Sequence, residues 1–181
     1  FNVHSIIVTL GTLSLYRGLV FIVSGGRQID RNDIPEHVVA FSQTSFLFSI
    51  PAILIFSAVI VIITHIVMRH SVLGREIYAT GSNPIAAHLK GINVTKVTLF
   101  CFGVCGMLAG VAGLFYASRF GYVNPGVTGV GIEFIVIAGV IIGGTSITGG
   151  SGSVLGTFLG ILLLGIITVS YTHLTLPTMY T

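Results

Sequence analysis

The sequence predicts an all-α, polytopic transmembrane helical bundle with about four full spans and one short helix. Of its 181 residues, 53% are hydrophobic and only 7% are charged, and the mean hydropathy is +1.01. A soluble domain of this composition would expose one continuous apolar surface to water. Long apolar runs separated by short polar segments point the same way. The chain is therefore expected to lie in a lipid bilayer.

Four apolar runs are long enough to cross a membrane, at residues 3–23, 46–68, 98–118 and 153–170. As a helix, the first of these would extend about 31 Å, against a hydrocarbon core of about 30 Å. Pro51 falls in the predicted first turns of the second run, where a helix tolerates proline best.

A fifth apolar run, at residues 132–142, is too short to cross. It would cover roughly 17 Å as a helix. The favoured interpretation is a half-helix that re-enters the membrane and turns back at the glycines that follow. Such irregular backbone is tolerated at membrane depth only beside protein or a water-filled cavity, which suggests the wall of a substrate pathway. The alternative is a tilted full span over residues 126–144.

The distribution of charge predicts the orientation of the chain. The polar segment at residues 69–97 carries four basic residues and one acidic residue, whereas the loop at residues 24–45 carries two arginines and three acidic residues. Cytoplasmic loops are enriched in Lys and Arg. The segment at 69–97 is therefore predicted to be cytoplasmic, and the mixed loop to lie outside. The net charge of +3 is small and localised, so nucleic acid is not an expected partner.

The cytoplasmic segment contains the pattern of a very short helix. Ser82 or Asn83 can cap it, Pro84 suits its first position, and Gly91 can close it in a left-handed conformation. About seven residues cannot hold a helix alone in water, so this helix must dock on something. Ile85 and Leu89 would provide one apolar stripe for docking. A transporter driven by a cytoplasmic motor needs such an element.

The sequence does not support an enzyme or a nucleotide site within the chain. The glycine-rich stretch at residues 149–156 has Leu155 where a dinucleotide loop needs glycine, and no lysine follows Lys96 to complete a triphosphate loop. The six histidines share no spacing typical of zinc ligands. No catalytic residue, cofactor or metal is expected.

The glycines recur every four residues in three places, which is the spacing that lets membrane helices approach closely. These predicted packing positions are Gly106, Gly110, Gly139, Gly143, Gly152, Gly156 and Gly160.

Two ionisable residues lie in or beside the apolar runs. Arg17 and Glu133 are candidates for the substrate path, and Asn124 and Thr128 could add hydrogen bonds there. The structural alternatives are an Arg17 side chain that reaches the outer headgroups and a Glu133 carboxylate that stabilises a helix N-terminus.

Three blocks, at residues 8–19, 74–92 and 137–167, carry a family resemblance. The chain resembles the permease subunits of bacterial ATP-binding-cassette (ABC) importers for ribose, other monosaccharides and autoinducer-2. The resemblance identifies the short helix as the coupling element that contacts the ATPase. Its coupling residues would be Gly81, Ser82, Asn83, Pro84, Ile85, Ala86, Ala87, Leu89 and Gly91.

The resemblance also implies partners and a location. It implies a second permease copy or paralogue, cytoplasmic ATPase subunits that use ATP and Mg, an extracytoplasmic sugar-binding protein, and the bacterial inner or plasma membrane. Alternatives are an autoinducer-2 permease, a branched-chain amino-acid permease, a secondary transporter and a membrane scaffold.

The expected organisation is one permease domain over residues 1–170. Family members are about twice as long and this chain begins at Phe1, so a fragment that lacks N-terminal spans is expected. The polar tail at residues 171–181 departs from the family pattern and is expected to be an artefact.

Overall fold

The computed structural model describes residues 5–36, 45–46 and 50–175. The regular secondary structure of the described part is mainly α-helical, with a two-residue antiparallel pairing of β1 (Ser45–Phe46) with β2 (Ile50–Pro51) and a 3₁₀ helix at Arg31–Asp33. The predicted all-α class is confirmed. The α-helices of the described residues include α1 (Ser5–Val23), α2 (Ala52–His70), α3 (Val72–Ser82), α4 (Pro84–Leu89), α5 (Val94–Phe120), α6 (Ile132–Ile142) and α7 (Val154–Thr175).

Three helices in the described residues are long and apolar enough to cross a membrane. They are α2, α5 and the Val154–Tyr171 part of α7, with mean hydropathies of 2.4, 2.1 and 2.2. The Ile7–Val23 part of α1 is a shorter apolar helix, as is α6. The bundle of membrane helices is thus confirmed, with three full-length spans where about four were predicted. The first two residues of the predicted first span, residues 3 and 4, lie outside the described residues.

The second span begins later than predicted. Helix α2 starts at Ala52 and not at residue 46, so Pro51 precedes the helix instead of lying in its first turns. Proline disfavours helical backbone in the residue before it, and here Ile50 and Pro51 are extended and pair with β1. The last helix continues to Thr175, five residues into the tail, and residues 176–181 lie outside the described part.

The polar segment after α2 contains a helix that the sequence analysis missed. Helix α3 follows α2 after a single-residue break at Ser71, whose Oγ accepts a hydrogen bond from the Gly74 amide at 3.0 Å and caps the new helix. Gly74 is buried against the backbone of Met68, where a Cβ would lie 2.8 Å from the Met68 Cα. The chain can therefore turn sharply at this point.

The chain divides into two compact units. The first comprises residues 1–53 and 110–130, and the second comprises residues 54–109 and 131–181. In the first unit, the segment after α1 pairs with the loop after α5. Ile29 and Val123 exchange two backbone hydrogen bonds, each of 2.9 Å, and this pairing fixes the loop that carries Asn124.

In the second unit, α6 and α7 form an antiparallel hairpin around four of the predicted glycines. A Cβ on Gly143 would lie 2.7 Å from the Thr157 Cα and would also contact the Gly156 carbonyl. A Cβ on Gly160 would lie 2.6 Å from the Gly143 amide nitrogen and would contact the Gly139 carbonyl. The two backbones touch at this crossing, which is the close approach that small residues permit.

The other three predicted packing glycines do not serve a helix crossing in the described residues. Gly152 lies in the glycine loop, residues 143–153, where a Cβ would lie 2.7 Å from the Thr145 side chain. The Ser153 Oγ accepts a hydrogen bond of 2.9 Å from the Gly156 amide and caps α7. Gly152 therefore lies before the first residue of that helix. Gly106 and Gly110 on α5 face open space within the described part of the chain.

Candidate functional site

Helix α4, the predicted coupling element, is closed at both ends by its own sequence. The Asn83 Oδ1 accepts hydrogen bonds from the Ile85 and Ala86 amides at 3.1 and 3.0 Å, and Pro84 follows as the first helical residue. At the other end, Gly91 adopts a φ of +84°. The Ile92 amide donates to the Ala87 carbonyl at 3.1 Å and the Gly91 amide to the His88 carbonyl at 2.9 Å, which is a complete Schellman motif. The predicted helix, its proline and its glycine closure are confirmed, and Asn83 is the cap.

Helix α4 presents one small side chain inward and two large ones outward. Ala87 is 3% exposed, whereas Ile85 and Leu89 are 76% and 82% exposed. Among the predicted coupling residues, Ala87 therefore has a side chain that a partner cannot contact. Its methyl group packs α4 against the rest of the chain. The predicted Ile85–Leu89 stripe does not dock within the described residues. A docking partner would have to lie outside the described residues.

Helix α3 connects α4 to the glycine loop. The Tyr78 hydroxyl donates a hydrogen bond of 2.8 Å to the Gly152 carbonyl, 74 residues later in the chain. Gly81 touches the loop through its backbone, because a Cβ there would lie 2.7 Å from the Gly150 amide nitrogen. The sequence alone does not predict this contact. Ser71, which can cap a helix, and the apolar residues Val72, Leu73 and Ile77 after it were the local signal for α3, but no local pattern indicates its partner.

Two clefts border this contact. A cleft of about 430 Å³ lies between the end of α2, α3 and the glycine loop, with Thr64, Tyr78 and Thr157 in its lining. A neighbouring cleft of about 380 Å³ is basic, since His65, Arg69 and Arg75 line it together with Tyr78. In the part of the chain that the structure describes, no His, Cys, Asp and Glu side chains gather in a group of three that could hold a metal ion.

In the first unit, Arg17 and Asn124 line one cleft of about 390 Å³, together with Thr128 and Tyr16. The Asn124 side chain has hydrogen-bond partners already. Its Oδ1 accepts from the Gly126 amide at 2.9 Å, and its Nδ2 donates to the Gln28 Oε1 at 3.4 Å. The Thr128 Oγ1 accepts from the Asn124 amide at 2.9 Å. These bonds shape the loop and leave Arg17 as the charged group of the cleft.

Glu133, the third predicted substrate-path residue, belongs to the second unit. It is half-buried in the first turn of α6, where a carboxylate interacts favourably with the helix dipole. Helix α6 begins after Gly131, which has a φ of +81°. The role of Arg17, Asn124 and Glu133 in a substrate path stays a prediction.

Comparison with known proteins places this arrangement in a family. Residues 1–180 match the family described as branched-chain amino acid transport system, permease component. The chain is 34% identical over 181 residues to the ribose import permease protein RbsC of Haemophilus influenzae, covering 99% of this chain and 55% of that relative. It is 36% identical over 163 residues to the autoinducer 2 import system permease protein LsrC of Yersinia enterocolitica, covering 90% of this chain and 44% of that relative.

The chain spans about half the length of the curated relatives it matches. No solved structure is significantly similar to it. The match extends across all the described helices, including α4, the α6–α7 hairpin and the glycine loop. The chain is a multi-pass membrane protein that belongs to the permease component family of branched-chain amino acid transport systems, together with ribose and autoinducer-2 import permeases.

Proposed function

We propose that this chain is part of the membrane-spanning subunit of an ABC importer for a monosaccharide or a related small carbohydrate. Separate cytoplasmic subunits hydrolyse ATP with Mg, and the chain itself needs no cofactor and catalyses no reaction. The observation that carries the proposal is α4, a six-residue helix that is capped at both ends and exposes Ile85 and Leu89. The family membership and the named relatives support it.

The geometry of α4 fits a contact surface for another protein. A helix of six residues has too few internal hydrogen bonds to persist alone, so its caps and the buried Ala87 hold it in place. Burying a fully exposed leucine or isoleucine side chain stabilises a complex by roughly 1.5–3 kcal/mol. Ile85 and Leu89 offer that gain to a cytoplasmic ATPase subunit.

The remaining partners and the location follow from the same class of transporter. We infer a second permease copy or paralogue, an extracytoplasmic sugar-binding protein, and the bacterial inner or plasma membrane. The cleft of Arg17, Asn124 and Thr128 supports a role on the substrate path, because it combines a half-buried cation with hydrogen-bonding groups. Glu133 is proposed for the same path.

Autoinducer-2 is a second candidate substrate. The autoinducer-2 permease of Yersinia enterocolitica is 36% identical to this chain, a value similar to the 34% for the ribose permease. The family description adds branched-chain amino acids. Uptake of radiolabelled ribose, other monosaccharides, autoinducer-2 and leucine by the full-length protein, its ATPase and its binding protein would separate these candidates.

The test of the proposed function is Leu89→Glu in the full-length protein, assayed with its ATPase. The substitution puts a charge at the exposed apolar contact and removes the leucine side chain that the ATPase would bury. The free energy of that burial corresponds to ATPase binding that is roughly 10- to 100-fold weaker. Uptake should fall with it, while the permease remains folded. Copurification of the ATPase and uptake of labelled sugar measure the two effects.

Thr95→Glu is the control. Thr95 is exposed in the first turn of α5, on the same polar segment, and the substitution adds the same charge away from α4. It should leave both measurements unchanged. If Leu89→Glu behaves like this control, α4 is not the ATPase contact and the proposal is wrong.

A further inference from the structure

The contact between α3 and the glycine loop is made by backbone against backbone. A Cβ on Gly149 would lie 2.6 Å from the Gly81 carbonyl oxygen, and a Cβ on Gly150 would lie 2.7 Å from the Ser82 Cα. No side chain separates the two segments at these points. A side chain can change rotamer and absorb a displacement, but touching backbones cannot, so a movement of one segment moves the other.

The loop is shaped for this contact and anchored at a second point. Gly149 and Gly150 have φ values of +94° and +79°, which side-chain-bearing residues rarely adopt. The Tyr78 hydroxyl holds the Gly152 carbonyl at 2.8 Å, about one helical turn before Gly81 on α3. Two separate points of attachment prevent the loop from pivoting about either one.

Both ends of this contact are continuous with other elements. Asn83 ends α3, with its amide donating to the Ala79 carbonyl at 3.1 Å, and the same residue caps α4 through its Oδ1. The glycine loop begins at Gly143, which lies at the crossing of α6 and α7. An unbroken path of packed backbone therefore leads from α4 through α3 and the loop to the α6–α7 hairpin.

We propose that α3, α4 and the glycine loop form a rigid strut that carries a displacement of α4 to the α6–α7 hairpin. The inference rests on the proposed function, because α4 must receive the displacement from an ATPase. Tyr78 and Gly81 are positioning residues in this strut. They act by keeping the loop fixed to α3, without contact with the transported substrate.

The first test measures the sugar imported per ATP hydrolysed in the full-length permease with its ATPase and binding protein. Tyr78→Phe should lower this ratio by roughly fivefold, the effect of one net hydrogen bond on a conformational equilibrium. Gly81→Ala should lower it further, because the new methyl group collides with the Gly150 amide. ATP hydrolysis should continue in Tyr78→Phe, since Tyr78 is not one of the predicted coupling residues and α4 and its caps are unaltered.

Gly113→Ala and Tyr122→Phe are the matched controls. Gly113 is also a helical glycine, but it faces open space within the described residues, and Tyr122 is an exposed tyrosine in the loop after α5. Both should keep the normal ratio of import to hydrolysis. If Gly81→Ala prevents assembly, Tyr78→Phe still tests the strut, because it retains the ring and removes only the hydroxyl.

The second test asks whether the contact stays closed during transport. Ser82→Cys and Ser151→Cys, in a protein whose other cysteines are replaced, would be joined by a short reducible thiol cross-linker. A rigid strut predicts that cross-linked protein imports sugar as well as reduced protein. Import that stops on cross-linking and returns on reduction would mean that the contact opens, which would overturn the proposal.

The outcomes separate the strut from the proposed function. If the unmodified protein imports sugar with ATP and both Tyr78→Phe and Gly81→Ala keep the normal ratio, the strut is wrong and the importer stands. If uptake by the unmodified protein does not require ATP, the importer assignment fails, and the coupling role of the strut fails with it.

Discussion

Asn83 is the residue at which the chain turns from α3 into α4. It serves as the last cap of α3 and the first cap of α4, with a φ of −155° and a ψ of 100° that belong to neither helix. Its side chain accepts the two amides that α4 would otherwise leave without partners. In a helix of six residues these two bonds are a large share of all the hydrogen bonds that hold the helix, so the conformation of α4 depends on this one side-chain amide group.

Asn83→Ala should therefore loosen α4 selectively. Loss of an N-cap costs about 1 kcal/mol, which corresponds to roughly fivefold faster opening of the helix. Hydrogen–deuterium exchange of the full-length protein in lipid nanodiscs should detect faster exchange at Ile85 and Ala86.

The control is Asn93→Ala, because Asn93 caps α5 in the same way by accepting the Lys96 amide at 3.1 Å. Exchange within α4 should be unchanged in this variant. Equal exchange at Ile85 and Ala86 in Asn83→Ala and the unmodified protein would contradict the capping role.

At the scale of elements, the α6–α7 hairpin has the most extensive helix–helix contact among the described residues of the second unit. The eleven residues of α6 lie where the sequence predicts a short helix, and Gly139, Gly143, Gly156 and Gly160 allow the two backbones to touch. Because lipid tails are as apolar as the side chains, membrane helices gain little from hydrophobic burial against each other and depend on such close packing. The hairpin should therefore be sensitive to single added methyl groups at the crossing.

Gly160→Ala should destabilise the hairpin by about 1–3 kcal/mol, because the methyl group has no space beside Gly139 and Gly143. Unfolding of the purified full-length protein in detergent, followed by circular dichroism, measures the change.

Gly165→Ala is the matched control on the same helix, since Gly165 faces open space within the described part of the chain. It should unfold like the unmodified protein. If Gly160→Ala is as stable as Gly165→Ala, the two helices do not meet at these glycines.

At the scale of the whole molecule, the distribution of charge predicts how the chain crosses the membrane. Arg69, Arg75, Lys90 and Lys96 lie in the polar segment that contains α3 and α4, and Glu76 is its one acidic residue. The orientation predicted from this excess places α4 where an ATPase can reach it. The importer assignment depends on that orientation.

The orientation predicts which residues an impermeant thiol reagent can reach in intact cells. With Cys101 and Cys105 replaced, Leu89→Cys should be protected and Asn32→Cys should be labelled, because the loop after α1 is predicted to lie outside. Both residues are exposed, so side-chain burial does not explain a difference. After permeabilisation of the cells, both cysteines should react. Labelling of Leu89→Cys in intact cells would reverse the orientation.

The sequence by itself determined the membrane class, the positions of the apolar helices and the closure of α4, because these depend on composition and on contacts within a few residues. Asn83, Pro84 and Gly91 act on the backbone within a few residues of themselves, through a side-chain cap, a fixed φ and tolerance of a positive φ. Errors arose at Pro51, where Ile50 and Pro51 pair with Ser45 and Phe46 instead of joining the helix, and in α3, which lies inside a polar segment.

Only the tertiary structure decided which faces are used. It turned Ala87 inward and Ile85 and Leu89 outward, joined Tyr78 to Gly152 across 74 residues, and selected four glycines of seven for a helix crossing. Glycine spacing indicates that a second helix can approach closely, but which helix does so depends on the path of the whole chain. A contact between residues far apart in sequence leaves no periodic pattern in either segment, and for that reason the strut is visible only in three dimensions.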